Sequence, residues 1–231
     1  MLDFKTLYLV AAVVTLSGAG AVLLTWYHHR DAPALRAWAA ALLVGNLGAV
    51  IVRVAGPFSS IQSTLVSNLL IIAGFALIWA NQYLANRDRL GVSRQVGLTV
   101  AVCAAYAVLF AVIFAAGAGQ GMRSTSVLFS LFLAVLSLTT AWEFRRGMAR
   151  DGLRSRIVVV WAFVAMSLAR LARATAVSLE ATNVIDGKLS LTVTGYALYA
   201  TVILVLAITY GLIQMANEAA ARRDERLFAG G

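Results

Sequence analysis

The sequence predicts an all-α polytopic membrane protein: a seven-transmembrane-helix bundle with its N-terminus outside and its C-terminus in the cytoplasm. Three observations point there. Seven apolar runs reach spanning length, the charges bunch between them, and the arginines fall on one side when the runs are threaded back and forth. Of the 231 residues, 61% are hydrophobic and 13% charged, against about a quarter charged in a soluble domain. Mean hydropathy is +0.84. Once seven spans are assigned, little chain is left for a separate soluble domain.

The first span runs from Phe4 to Tyr27, the second from Leu35 to Ala55 and the third from Ser59 to Leu84. The fourth covers Val96 to Ala116, the fifth Ser124 to Phe144, the sixth Ile157 to Leu179 and the seventh Leu191 to Met215. Each approaches the roughly 20 residues that cross about 30 Å of hydrocarbon. Each is expected to be helical, because a helix satisfies its own backbone hydrogen bonds in lipid. The first run contains small residues at Ser17-Gly18-Ala19-Gly20-Ala21. Its leader, Met1-Leu2-Asp3-Phe4-Lys5, is not net basic, and the run continues to Trp26. A retained helix fits better than a cleaved signal peptide.

Orientation follows from charge. Arg30 and Arg36 follow span one; Arg87, Arg89 and Arg94 follow span three. Arg145, Arg146, Arg150, Arg154 and Arg156 follow span five, and Arg222, Arg223 and Arg226 follow span seven. The opposite connections, Gly56-Pro57-Phe58, 117–123 and 180–188, are nearly free of basic residues. The positive-inside rule then places the C-terminus in the cytoplasm. Trp26, Trp38, Trp79, Trp142 and Trp161 lie toward the same ends, as half of an aromatic belt. The net charge of +9 is thus a topology signal, and no nucleic-acid partner is expected.

A 3+1+3 parallel repeat is a second expectation. Thr25-Trp26-Tyr27-His28-His29-Arg30, Leu35-Arg36 and Arg53 match Ala141-Trp142-Glu143-Phe144-Arg145-Arg146, Leu153-Arg154 and Arg170 in order and near spacing. The ends of spans three and seven are also alike. Two three-helix units joined by span four would have this pattern, as in some transporters. The competing account is that Trp and Arg gather at every cytoplasmic helix end.

Ionisable groups within spans are costly and often functional. Arg53, Arg170 and Arg173 fall in the outer half of the bilayer, and the latter two share a helix face one turn apart. With Asn46 and Asn68 they can line a pocket, open to the outside, for an anionic small ligand whose carboxylate or phosphate matches a guanidinium fork. Arg170 is the deepest. The structural alternative is that Arg53 and Arg173 snorkel, Arg173 pairs with Glu180, and the asparagines bond between helices. Gly18 with Gly20, and Gly45 with Gly48, suit close helix packing.

Other chemistries are disfavoured. No Asp or Glu lies near the centre of a span and no lysine lies in span seven, the only lysines being Lys5 and Lys188. Span seven thus offers no lysine for a retinal Schiff base, and a carrier coupled through a membrane carboxylate is disfavoured. The lone Cys103 forms no disulfide within one chain. Adjacent His28 and His29 point apart on a helix and make a poor metal or haem site. With no nucleotide, hydrolase or zinc motif present, neither enzyme activity nor a cofactor is expected.

Past Met215 the sequence keeps to good helix formers with charges of alternating sign, including Asn217, Glu218, Arg222 and Arg223. The domain reading is therefore 1–215 for the transmembrane bundle and 216–231 for a cytoplasmic helical exit or linker. The alternative for the exit is a basic anchor on anionic lipid heads. Gly230-Gly231 has the look of a linker or a truncation.

Over most of its length the chain resembles the multi-helix membrane region found N-terminal to bacterial GGDEF diguanylate cyclases. The resemblance rests on the opening Met1-Leu2-Asp3-Phe4-Lys5-Thr6-Leu7 and on Asn68 followed by Gly74 and Trp79. It also rests on the arginine of span six and the Met215-Ala216-Asn217-Glu218 exit. It implies a bacterial inner membrane and a signal-input role, with the last helix leading to a cytoplasmic effector. No GGDEF sequence is present in the chain, so no cyclase activity is implied for these residues. Two other expectations stand beside the sensory input module: a small transporter with a 3+1+3 helix repeat, and a stand-alone accessory membrane protein. The sensor expectation calls for a dimeric cytoplasmic partner and is compatible with a homodimer in the bilayer.

Overall fold

A computed structural model describes residues 4–28, 33–55, 61–117 and 121–229. Seven helices account for nearly all of them: α1 (Phe4–His28), α2 (Pro33–Ala55), α3 (Ile61–Ala85), α4 (Val92–Ala116), α5 (Gly121–Asp151), α6 (Arg156–Ala181) and α7 (Gly187–Ala229). No strand occurs among the described residues. Each helix is long and apolar enough to cross a membrane, which makes the chain a multi-pass membrane protein. The segments around Gly56-Pro57-Phe58 and Gly230-Gly231 lie outside the described residues.

Two helices run further than the sequence reading placed their spans. α5 continues past Phe144 to Asp151, so Arg145, Arg146 and Arg150 belong to a helix rather than a loop. Strong helix formers such as Met148 and Ala149 carry it on, and Gly152 ends it in the left-handed region at φ 67°, where a glycine has no Cβ penalty. α7 is one uninterrupted helix of 43 residues running through the predicted exit.

The packing has a simple plan. α1, α2, α3, α5, α6 and α7 form a ring in which each touches the next and α7 closes back on α1. α4 stands outside, braced against α3 and α5. Small residues bring α2 and α3 together: a Cβ on Gly48 would meet the Ser67 carbonyl oxygen at 2.6 Å, and one on Gly74 the Ala41 carbonyl oxygen at 2.6 Å. Gly18 packs on Thr209 of α7, whereas Gly20 faces open space, so only one of that pair serves packing.

Two apolar cores result. One joins all six ring helices near the end that carries His28, Ala85, Asp151 and Arg156, the arginine-rich end, around Val22, Trp38, Phe144, Phe163 and Leu212. The other is the α3–α4–α5 seam around Ile72, Tyr106, Phe110 and Leu133. Trp38, read from sequence as part of an interfacial belt, is 1% exposed. Its ring lies 6.4 Å from that of Phe144 and 6.2 Å from that of Phe163. Trp142 and Trp161 keep their rings outward, each 64% exposed.

Candidate functional site: a cavity inside the ring and a clamp at its arginine-rich end

Inside the ring, above the first core, lies a cavity of about 420 Å³ lined by all six ring helices and by none of α4. A volume of that size falls in the range of about 300–1,000 Å³ usual for small-molecule sites. Four of the five residues singled out from sequence, Asn46, Asn68, Arg170 and Arg173, line it together. Arg53 belongs to α2, and its side chain lies outside the described residues.

α6 positions the two arginines. Residues one turn apart share a face, and Phe163, Met166, Arg170 and Arg173 follow that spacing down the cavity wall. Arg170 is 9% exposed. Arg173 donates from Nη1 to Ser130 Oγ at 2.8 Å and from Nη2 to Ser126 Oγ at 3.1 Å. The Glu180 carboxylate pairs with Arg123 at 3.8 Å. Asn68 Nδ2 donates to the Tyr106 hydroxyl at 2.9 Å, tying α3 to α4, so an interhelical bond and a place in the cavity wall coexist in one side chain. Among the described lining residues there are two arginines and no carboxylate.

Polarity is sorted along the cavity. Far from the arginine-rich end, α3 offers Ser63, Thr64 and Ser67, α5 offers Thr125 and Ser126, and α7 offers Thr194. Toward the arginine-rich end the wall turns aromatic and aliphatic, with Trp38, Phe75 and Phe163 at the floor. Phe75 and Phe163 stand 6.5 Å apart, edge to face. The sequence reading missed both the hydroxyls and the floor. The hydroxyls were detectable in part, since Ser and Thr recur at the starts of spans three and five.

A second polar assembly, absent from the sequence reading, holds the arginine-rich end. Glu143 on α5 is 5% exposed. It receives Asn86 Nδ2 at 2.8 Å and Arg87 Nη1 at 3.2 Å, and Asn86 also donates to the Glu143 carbonyl at 2.7 Å. Arg156 at the start of α6 reaches Gln82 Oε1 at 3.3 Å and forms an ion pair with Asp151. Its guanidinium occupies the space left by Gly147, whose added Cβ would clash with it.

The exit helix closes this assembly. Glu218 accepts from the Arg154 and Ser155 backbone N–H groups at 3.2 Å each and from Ser155 Oγ at 2.8 Å. One turn on, Arg222 donates to the Asp151 carbonyl at 2.7 Å, the Gly152 carbonyl at 3.0 Å and Glu218 Oε1 at 2.8 Å. A carboxylate thus caps the positive start of α6 and a guanidinium caps the negative end of α5, each complementing a helix dipole. Of the other residues singled out on the exit, Asn217 and Arg223 are exposed on α7.

No family model, curated protein or solved structure matches the chain at a significant level.

Proposed function

We propose that the chain is a membrane-embedded sensory input module. The cavity is its input site, taking an anionic small ligand from outside, and α7 is its output, passing helix movement to a dimeric cytoplasmic effector such as a diguanylate cyclase. The orientation, the bacterial inner membrane and the effector class belong to the same proposal, supported by the arginine distribution and by the resemblance in the sequence. We assign these residues no catalytic role.

One observation carries this reading: a single continuous helix joins the two polar sites. α7 lines the cavity from Thr194 to Ile208 and, ten residues further on, grips the α5–α6 turn through Glu218. A ligand that favours one seating of α7 at the cavity would favour one seating at the turn, provided its affinity differs between the two.

The test joins a diguanylate cyclase domain in helical register behind the exit. We expect cyclic dinucleotide synthesis in cells to change severalfold in Glu218→Gln and in Arg170→Gln at equal membrane content, since the loss of one charged hydrogen bond is worth about 1.5–3 kcal/mol. Output indifferent to both substitutions would remove the proposal.

A transporter is the second reading, favoured by the helix pairing. The contacts α1 with α2, α2 with α3 and α3 with α5 have counterparts in α5 with α6, α6 with α7 and α7 with α1. That is the pattern expected of two parallel three-helix units with α4 as joiner. Uptake of an anionic solute into liposomes containing the protein would favour it.

A further inference from the structure

The cavity's shape and its sorted polarity narrow the ligand beyond its charge. Three wall helices carry the same gradient. α6 runs from Phe163 to Arg170 and Arg173; α2 from Trp38 to Asn46; α7, in the opposite sense, from Ile208 to Thr194. At about 1.5 Å rise per residue, Arg173 stands ~15 Å beyond Phe163, and Thr194 ~20 Å beyond Ile208. A volume of about 420 Å³ lies toward the small end of the range of about 300–1,000 Å³ usual for small-molecule sites. A site of that size favours one chain over two, and an inorganic anion would leave the aromatic floor unused.

We infer that the cavity takes a single-chain amphiphilic anion, a carboxylate or phosphate head on one apolar chain of about ten carbons, with the head at Arg170 and Arg173 and the chain end against Trp38 and Phe163. This rests on the cavity being the input site proposed above. The guanidinium groups and surrounding hydroxyls supply charge-assisted hydrogen bonds to the head. The floor supplies apolar burial for the chain, worth about 0.8 kcal/mol per methylene. The head chemistry is shared by a free fatty acid and a membrane phospholipid, and the volume of the cavity favours the first.

The experiment uses the full chain in nanodiscs of zwitterionic lipid and reads tryptophan emission during titration with 11-bromoundecanoate, whose terminal bromine quenches nearby indoles. Trp38 sits at the floor, so the expected result is a saturable quench whose saturable part disappears in Trp38→Phe. Undecanoate should compete. Undecanol, acetate and a two-chain phosphatidate should not. Arg170→Gln should weaken binding about tenfold or more, from the loss of a charged hydrogen bond. Asn46→Asp, which adds a like charge beside the head, should do the same and serves where Arg170→Gln fails to insert. Competition by undecanol equal to that by undecanoate, competition by phosphatidate alone, or unchanged affinity in both variants would overturn the inference. Because the readout is binding alone, its failure leaves a mutation-responsive exit helix untouched. Binding without any response at the exit would instead remove the sensor proposal and keep the ligand class.

Discussion

Gly74 shows how closely the α2–α3 seam is packed. An added Cβ would lie 2.6 Å from the Ala41 carbonyl oxygen and 3.3 Å from Gly45 Cα, and backbone cannot step aside as a side-chain tip can. Gly74→Ala should therefore cost about 1–3 kcal/mol, read as a lowered unfolding midpoint in lipid, while Gly20→Ala, into open space, should stay within about 0.5 kcal/mol. Equal midpoints for the two variants would contradict the packing. At this scale the sequence was informative about residues whose cost is intrinsic. An arginine or asparagine inside an apolar run declares itself, and Asn46, Asn68, Arg170 and Arg173 do line one cavity. Glu143 did not declare itself. It sits between Trp142 and Phe144 near a span end, and its partners Asn86 and Arg87 are more than fifty residues away in sequence, a pairing no local pattern encodes.

Among elements, α5 and α7 differ most from their sequence spans, for the same reason. Hydropathy marks where lipid contact ends, not where the helix ends, and helix formers carried both onward. The clamp depends on those extensions, because Glu218 and Arg222 lie beyond the apolar part of α7 and Asp151 and Gly152 beyond that of α5. Exit residues Glu218 and Arg222 were singled out from sequence, but as a charged helix leading away rather than one turned back on the α5–α6 turn. In Glu218→Gln the acceptor loses its charge, and hydrogen exchange at the Arg154 and Ser155 amides should rise about tenfold, matching roughly 1.4 kcal/mol of lost local stability. Unaltered protection there would show that the exit helix does not hold the turn. Arg222→Ala should loosen the same turn from its other side by freeing the Asp151 and Gly152 carbonyls.

Across the whole molecule, seven spans were legible because length and hydropathy suffice to count them. The ring was not. Every span is apolar on most faces, so periodicity does not reveal which faces meet, and only the assembled bundle shows α4 outside and a cavity within. The account's central claim concerns this scale: charge in the cavity and the seating of the exit helix form one equilibrium, coupled through α7. Pulsed electron spin resonance tests it most directly. Spin labels go on the exposed positions Ala149 of α5 and Glu225 of α7, in a Cys103→Ser background that removes the only native thiol, with the protein in lipid bilayers. Ser126→Asp places a carboxylate beside Arg173 as a tethered stand-in for a ligand head, and Arg170→Gln withdraws a cation. The account predicts that the interlabel distance distribution shifts in both variants, by at least the 1–2 Å or so typical of helix shifts at switching interfaces. Distributions superimposable on that of the unsubstituted cavity in both would contradict it.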